Sequence, residues 1–381
     1  MSLADVSARL RAGLDLDPTE VHLNNAGVAP MLRVARGTGE RLCTALARHG
    51  SFAIEHWRQD YAHARASFAR LVGAAPDDVA MVPTCAAAIS YVAMGLDLRA
   101  DDEIVTWDQE YPSNAYPWHA AARRAGARVV TVASGPDFTV DTGQLIAAMG
   151  PRTRVVAVSW VQWQTGAMTE LNRVAEACRR HGAWLVVDAI QGLGVIPFDL
   201  AALGVDAVCG GTHKWLCGPV GHGLLALAPG RAEQLTPVVQ GTFTYGEPED
   251  AVDLDRLPRP NARRFEPGSP PLFGALAGAA SVELLLELGI ANLHVSALHL
   301  SDRIALAVQK RGGRVLSDTQ RADRSPIVTF APSGSVEAAM LSLRQHRVAV
   351  ARRAGQAIRV SPHAFNNEAD IERLLAALDA A

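Results

Sequence analysis

The chain has 381 residues, of which 49% are hydrophobic and 20% charged, with a formal net charge of -3 at pH 7. This length is sufficient for a large buried core and for more than one domain. The charges are nearly balanced and form no basic block, so nothing indicates a surface that binds nucleic acid or an anionic membrane. No uninterrupted apolar run approaches the roughly 18 residues that span a bilayer.

The cysteines and the N-terminal residues indicate the compartment. Residues 1–17 contain no apolar run after a basic patch, so they do not look like a signal peptide. The five cysteines are scattered and odd in number, and no CxxC pair occurs, which argues against a disulfide framework. We therefore expect a cytoplasmic protein.

Between residues 78 and 229, short β-rich runs alternate with longer helical stretches. The runs are DVAMVP (78–83), EIVTWD (103–108), RVVTVA (128–133), RVVAVSWV (154–161), AWLVVDAI (183–190), DAVCGG (206–211) and GHGLLALAP (221–229). Because most runs are continuously apolar, we expect an α/β fold with a mainly parallel seven-stranded sheet, buried under helices on both faces. Ligands of such sheets bind at the carboxyl ends of the strands, so the polar residues that follow each run are the candidates for chemistry.

The pattern changes after residue 271. Two amphipathic stretches, roughly 271–288 and 291–311, flank Gly289, and the strand-like run SPIVTFAP (325–332) follows. We predict a large domain over residues 16–287 and a smaller α+β domain over residues 288–381, which residues 1–15 join.

Lys214 follows a strand that ends in Gly210 and Gly211, and these glycines let a ligand approach the backbone closely. An amine at this position can form an imine with a carbonyl compound. The ordinary alternative is a lysine in a surface loop, and three further features argue against it.

The first feature is Asp188, which directly follows the apolar run AWLVV, so burial of its carboxylate demands a cationic partner. A protonated pyridine nitrogen would serve, and Gln191 could donate to a phenolate oxygen on the same ring. Helix capping is the alternative role for Asp188.

The second and third features follow two other strands. In PTCAAAIS (83–90) a helix begins directly after a strand, so its free N–H groups and small side chains suit a phosphate, although ordinary helix packing is an equal alternative. In DQEYPSNAYPW (108–118), Tyr111 offers a ring to stack on a flat cofactor, although a tyrosine is more often part of a core or rim.

Arg359 lies in the strand-like run QAIRVSPHAFN (356–366) near the C-terminus. Its guanidinium suits bidentate binding of a substrate carboxylate, although a structural salt bridge is the commoner role of such an arginine.

Other chemistries fit less well. Cys209, His213 and Cys217 are spaced by four residues, but three such side chains on a helix cannot all face one metal ion, and the glycines disfavour a helix. We therefore expect no metal site. Neither a GxGxxG fingerprint after a strand, nor a phosphate-binding GxxxxGK[ST] loop, nor a GxSxG elbow occurs.

Five motifs resemble, in their order, those of the class V aminotransferase family of fold-type I pyridoxal phosphate (PLP) enzymes. They are HLNNAG (22–27), Asp188-x-x-Gln191, Thr212-His213-Lys214, RFEPGSP (264–270) and IRVSPHAFN (358–366). The resemblance covers nearly the whole chain. The family includes cysteine desulfurases, isopenicillin N epimerase-like proteins and carbon-sulfur lyases. The resemblance implies PLP as cofactor, an amino acid as substrate and a homodimer with shared active sites.

The resemblance also implies roles for individual residues. Lys214 forms the Schiff base, Asp188 pairs with the ring nitrogen, and Tyr111 takes the place of the family's stacking aromatic residue or histidine; these three are the predicted catalytic residues. Gln191 faces the phenolate oxygen, and Arg359 holds the substrate's α-carboxylate. The predicted phosphate-site residues are Cys85, Ala86, Thr212 and His213, with Gly268 and Ser269 reaching the neighbouring subunit's phosphate. Asn25 and Trp163 are the other predicted substrate-binding residues.

Two departures from the family bear on the reaction. Desulfurases carry a persulfide-forming cysteine before the C-terminal motif, whereas residues 345–363 contain none and the last cysteine is Cys217. In SWVQWQTG (159–166), Trp163 stands near the position where desulfurases usually have asparagine, which predicts a more aromatic pocket.

We expect β-elimination from a cysteine-derived substrate, because the chain resembles the sulfur-handling branch but lacks its persulfide cysteine. Transamination and epimerisation begin with loss of the same Cα proton and stay open. A relative that binds PLP or a partner protein without turnover is also open, although Lys214, Asp188 and Arg359 argue against it. A nicotinamide-dependent dehydrogenase is a weaker alternative.

Overall fold

The computed structural model describes residues 2–247, 253–321, 323–353 and 356–381. The strands are β1 (Val21–His22), β2 (Val79–Val82), β3 (Glu103–Trp107), β4 (Arg128–Val132), β5 (Thr153–Ser159), β6 (Trp184–Asp188), β7 (Ala207–Gly211), β8 (Gly223–Leu227), β9 (Arg314–Val315), β10 (Val328–Ala331), β11 (Val348–Ala349), β12 (Ala351–Arg353) and β13 (Ala357–Val360). The α-helices are α1 (Leu3–Ala12), α2 (Arg33–His49), α3 (Ile54–Val72), α4 (Cys85–Gly95), α5 (Pro112–Ala125), α6 (Thr142–Ala147), α7 (Leu171–His181), α8 (Leu200–Leu203), α9 (Thr242–Tyr245), α10 (Leu272–Leu288), α11 (Ile290–Lys310), α12 (Val336–Gln345) and α13 (Glu368–Asp379).

The central sheet has seven strands in the order β2-β8-β7-β6-β5-β3-β4. β8 runs antiparallel to both of its neighbours, and the other strands run parallel to one another. Each of the seven β-rich runs contains one of these strands, and the predicted α/β fold is confirmed. The carboxyl ends of β2, β3, β5, β6 and β7 therefore lie at one edge of the sheet.

The strands of the central sheet differ in how much of their side chains is buried. Every residue of β2, β6, β7 and β8 is buried, as their continuous apolar character predicts. β4 is the exception, because Val132 alone in it is buried. It lies at one edge of the sheet and pairs only with β3, whereas β2 at the other edge is covered by the segment of Glu266, which accepts the Met81 N–H.

The C-terminal part contains the two predicted helices, α10 and α11, which meet at Gly289 with a bend of 81°. Gly289 has a φ of 84°, a conformation that favours glycine. A four-stranded antiparallel sheet in the order β12-β13-β10-β9 follows, and β10 lies within the predicted run SPIVTFAP. The predicted division into domains at residue 288 stays a prediction.

Among the described residues, no single helix is long and apolar enough to cross a membrane. α10 and α11 meet that criterion only when they are taken together as a bent pair.

A buried ion pair anchors the RFEPGSP segment to the central sheet. Nη1 and Nη2 of Arg65, on α3, donate to the two carboxylate oxygens of Glu266 at 2.5 and 2.8 Å. Glu266 also accepts the Met81 N–H of β2 at 2.7 Å, and Arg65 donates to the Val79 carbonyl at 2.7 Å. Both charged side chains are less than a tenth exposed. The pair therefore joins three distant parts of the chain where water cannot replace either partner.

We expect Glu266→Ala to lower the free energy of unfolding by about 3–5 kcal/mol, because it leaves the Arg65 charge buried without a partner. Urea denaturation of the purified variant measures this loss. The control is Glu176→Ala, which breaks an exposed pair with Arg180 on α7 and should cost less than about 1 kcal/mol. Equal losses in the two variants would contradict the structural role of the buried pair.

Candidate active site

Four of the residues selected from the sequence lie at the carboxyl edge of the central sheet. Asp188 is the last residue of β6, Lys214 follows β7, and Tyr111 follows β3 directly before α5. α4 begins at Cys85, just after β2. These segments are distant in sequence, and the parallel arrangement of their strands brings them to one edge.

The Asp188 carboxylate is buried, and burial raises its pKa while the charge of Lys214 opposes that shift. Its Oδ1 accepts hydrogen bonds from the Ile190 N–H at 3.0 Å and from the Cys85 thiol at 3.4 Å. It forms no close ion pair within the described ranges. A buried carboxylate without a close cation suits a ligand that carries a protonated ring nitrogen.

Lys214 lies in a tight turn after β7, with its Nζ 5.6 Å from the centroid of the Tyr111 ring. Burial lowers the pKa of its amine to about 8, although the Asp188 carboxylate acts in the opposite direction. A substantial fraction of this amine is therefore neutral near physiological pH, as a nucleophile or base requires. Thr212 holds the turn, since its hydroxyl donates to the Pro219 carbonyl at 2.6 Å.

The first turn of α4 presents unused hydrogen-bond donors. Thr84 caps the helix, and its hydroxyl accepts the Ala87 N–H at 3.0 Å. The N–H groups of Cys85 and Ala86 have no acceptor in the described part of the chain. Gly223 of β8 packs against this turn so closely that a Cβ would lie 3.0 Å from the Cys85 nitrogen. Two free N–H groups at a helix start suit a phosphate.

The Tyr111 ring lies beside Lys214, and the Trp163 ring packs against Tyr111. The rings of Tyr111 and Trp163 meet edge-on, with centroids 5.3 Å apart and an interplanar angle of 80°. Trp163 Nε1 donates to the Gln109 carbonyl at 2.9 Å, which fixes the indole. That Trp163 lines the substrate pocket stays a prediction.

Sequence reasoning missed Glu110, which directly precedes Tyr111. Its carboxylate is buried, and it accepts from the Ser159 N–H at 2.7 Å, the Ser159 hydroxyl at 2.5 Å, Gln162 at 2.9 Å and Asn114 at 2.9 Å. This network joins the segments that carry the two aromatic rings. The sequence feature that could have identified Glu110 is its position among the polar residues that follow β3.

Arg359 of β13 is 1% exposed and forms no ion pair with a described carboxylate. Its Nη1 donates to the Trp163 carbonyl at 2.6 Å and its Nη2 to Asn24 Oδ1 at 3.3 Å, while its Nε has no acceptor among the described residues. Burial lowers the pKa of the guanidinium to about 9, and the charge of Arg353 adds to the shift. The structural salt bridge weighed above is therefore not seen, and sequence reasoning did not select Asn24.

Asn25 and Gln191 both hold the HLNNAG segment in place. Asn25 is fully buried, and its Nδ2 donates to the Ser361 carbonyl at 2.8 Å. Gln191 Nε2 donates to the Ala26 carbonyl at 3.0 Å, and its Oε1 accepts from Trp215 Nε1 at 3.0 Å. Their roles toward substrate and cofactor stay predictions.

His213 is half-buried beside Lys214, and burial lowers the pKa of its imidazole. Gly268 and Ser269 are exposed in the segment before α10, where they line a surface cavity with Arg58 and Arg263. The predicted contacts of these residues with a phosphate stay predictions.

Residues 41–374 match the sequence profile of the family described as Aminotransferase class-V. The chain belongs to the class V aminotransferase family. It is 33% identical to an isopenicillin N epimerase of Streptomyces clavuligerus, in an alignment that covers 100% of this chain and 99% of the relative.

Solved structures show the same class V fold. The cysteine desulfurase CsdA from Escherichia coli is 24% identical, with a TM-score of 0.87 over 98% of this chain and 97% of the other. The cystine C-S lyase C-DES, solved with its product cysteine persulfide, is 23% identical, with a TM-score of 0.86 over 95% and 97%. A C-DES mutant carries glycine covalently linked to its PLP cofactor. Class V membership and this PLP-bound structure identify the chain as a PLP-dependent enzyme.

Three observations show that the carboxyl edge fits PLP. Asp188 is a buried carboxylate without a close cation, Lys214 has an amine with a low pKa, and the first turn of α4 has two free N–H groups. These features match a ring nitrogen, an aldehyde and a phosphate.

The lowered pKa of Lys214 leads to a prediction about cofactor binding. Because only the neutral amine attacks the PLP aldehyde, we expect the rate of PLP uptake by the apoprotein to rise with pH and level off above a midpoint near pH 8. The growth of the cofactor's absorption band measures this rate. Nα-acetyl-lysine in solution, whose ε-amine has an ordinary pKa, is the control.

Asp188→Asn should move the midpoint to lower pH, because the Asp188 carboxylate raises the pKa of the Lys214 amine. A midpoint in the original protein that coincides with that of Nα-acetyl-lysine would contradict the prediction.

Proposed function

We propose that this class V enzyme catalyses β-elimination from a cysteine-derived α-amino acid, as a carbon-sulfur lyase. The observation that carries the proposal is the state of the sulfur atoms at the site. Cys85, Cys209 and Cys217 are buried, and burial raises the pKa of each thiol, which disfavours the thiolate that an enzyme-bound persulfide requires. The reacting sulfur then belongs to the substrate and departs with it.

Asp188, Lys214 and the start of α4 hold the cofactor in this proposal. Asp188 would keep the ring nitrogen protonated, Gln191 would face the phenolate oxygen, and Lys214 would supply the amine that binds the aldehyde carbon. The N–H groups of Cys85 and Ala86 bind the phosphate, and Thr212 and His213 lie near it. When bound, PLP withdraws electrons from the substrate's Cα and so makes loss of the Cα proton easier.

Arg359 and Lys214 act on the substrate itself. Arg359 offers free donor capacity to the α-carboxylate, which fixes the Cα–H bond relative to Lys214. The Lys214 amine would be freed when the substrate's amino group takes its place on the cofactor, and it then removes the Cα proton. Its pKa of about 8 leaves a substantial fraction of the free amine neutral and available as a base. The Cβ–S bond then breaks, and the sulfur leaves as a thiol. In total, substrate and water give a thiol, pyruvate and ammonium.

Epimerisation is the second candidate, and the 33% identity to an isopenicillin N epimerase over the whole chain favours it. Inversion at Cα needs a proton donor on the face opposite the base. The Tyr111 phenol is the candidate donor, since its ring is predicted to stack on the cofactor and is 43% exposed.

We further propose a cytoplasmic homodimer with shared active sites. Exposed apolar side chains surround a groove between α2 and the start of α10, and they include Met31, Leu46, Val220 and Phe273. A second copy that covered this groove would also meet Gly268 and Ser269, which precede α10. The five cysteines form no disulfide, which supports a reducing compartment.

The reaction is tested by mixing the PLP-loaded enzyme with cysteine S-conjugates, without a keto acid. We expect sustained release of pyruvate and ammonia in equal amounts, with the cofactor's absorption band returning after turnover. Lys214→Ala should abolish the release, because it removes the base.

Two outcomes would replace this proposal. A band lost in one turnover and restored only by a keto acid would make the protein an aminotransferase. Inversion at Cα without pyruvate, measured by chiral chromatography, would make it an epimerase, and Tyr111→Phe should then stop inversion.

The shared site is tested by Gly268→Val. A Cβ at Gly268 has no atom of its own chain within 4 Å, so the monomer's fold should tolerate the substitution. If Gly268 lies against the partner's cofactor, PLP affinity should fall by about tenfold or more, as measured by an absorption titration. Gly334→Val is the control, because its Cβ is equally unobstructed and lies in the loop before α12. A monomeric mass by light scattering, or unchanged PLP affinity, would contradict the shared site.

A further inference from the structure

A second arginine lies on the same face of the C-terminal sheet as Arg359. β12 and β13 are antiparallel, with Ala351 opposite Arg359 and Arg353 opposite Ala357. Side chains two residues apart on a strand point to the same face, so Arg353 and Arg359 are diagonal neighbours, roughly 7–8 Å apart. The register alone therefore places two guanidinium groups side by side at the active site.

Arg353 has no anionic partner in the described residues. Its Cζ lies 5.0 Å from the centroid of the Trp163 ring, and its Nη1 donates to the Arg352 carbonyl at 2.8 Å. Its Nε is buried and has no acceptor among the described residues. The neighbouring Arg352 is different, because it is exposed and pairs with Glu337 at 2.5 Å.

Arg353 destabilises the charge of Arg359. Arg353 lowers the pKa of Arg359, and each of the two lowers the pKa of Lys214. Tyr111, a phenol rather than a carboxylate, is the acidic group that acts on both arginines. One substrate carboxylate would neutralise Arg359 but would leave Arg353 without a counter-charge.

We propose that the substrate carries a second carboxylate, on its side chain, and that Arg353 binds it. This inference rests on the proposed function, in which Arg359 holds the α-carboxylate of an amino acid. Trp163 supports one face of the Arg353 guanidinium and leaves its edge available for hydrogen bonds. For β-elimination, the substrate class becomes a cysteine whose sulfur substituent ends in a carboxylate.

The test compares ligands that differ only in this charge. S-carboxymethyl-L-cysteine and its neutral amide, S-carbamoylmethyl-L-cysteine, have nearly the same size, and the change in the cofactor's absorption on titration of the PLP-loaded enzyme gives both dissociation constants. We expect the acid to bind about tenfold or more tightly than the amide, since the amide cannot form a charge-assisted pair. L-glutamate and L-glutamine provide the same comparison without a leaving group.

Arg353→Gln should remove the preference for the acid, whereas Arg353→Lys should keep it because the positive charge remains. Arg352→Gln is the matched control and should keep the full preference, since its side chain pairs with Glu337 on the exposed surface. If Arg353 only supports Trp163, Arg353→Gln weakens acid and amide equally, and the unchanged ratio overturns the inference. Equal binding of acid and amide by the original enzyme also overturns it.

The failure of β-elimination is a separate outcome. A preference for the acid that disappears in Arg353→Gln, without pyruvate release from either cysteine derivative, supports the second-carboxylate site and contradicts only the lyase reaction. If none of the four amino acids changes the absorption of the cofactor, both proposals are wrong.

Discussion

Asp188 ends a strand whose residues are all buried, so its carboxylate can be neither hydrated nor paired with a neighbouring side chain as on a protein surface. Lys214 and Arg359 are in a similar condition, and burial lowers the pKa of both groups. Burying each of these charged groups without an oppositely charged partner costs free energy of folding. The large hydrophobic core offsets this cost, and a ligand with complementary charges recovers it on binding. The three groups therefore define what the site can bind.

The loop after β5 connects the central sheet to the C-terminal sheet. Its carbonyl groups accept hydrogen bonds from Arg359 at Trp163, from Thr329 at Gln164 at 2.7 Å, and from Ser325 at Gly166 at 2.8 Å. The loop also carries the indole that stacks on Arg353. The carboxyl edge of the central sheet and the arginine pair are thus held in one fixed relation, as a reaction at Cα requires.

The sulfur atoms near the site have a structural role. The Cys85 thiol donates to Asp188, and Asp188 in turn raises the pKa of that thiol. Such a thiol is a poor nucleophile. The chain therefore has the fold of the desulfurases, but the described residues of its site include no reactive cysteine. This difference supports the proposal that the reacting sulfur belongs to the substrate.

The sequence alone determined the elements and the edge of the sheet where the chemistry lies. Continuous apolar runs identify buried strands, and the topology of parallel sheets then directs attention to Asp188, Lys214 and Tyr111. These inferences succeed because hydrophobic periodicity is local. The pattern of β4 resembles that of its neighbours, so only the strand order shows that it lies at the edge.

Only the tertiary structure decided which side chains meet. Asn24 and Asn25 are adjacent and identical in type, yet the bridge between Asn24 and Ser361 directs one side chain to Arg359 and buries the other. Arg352 and Arg353 are equally indistinguishable in the sequence. The antiparallel register with β13 places Arg353 beside Arg359 and leaves Arg352 on the opposite face. Such choices depend on hydrogen bonds between strands far apart in the chain, which local periodicity does not encode.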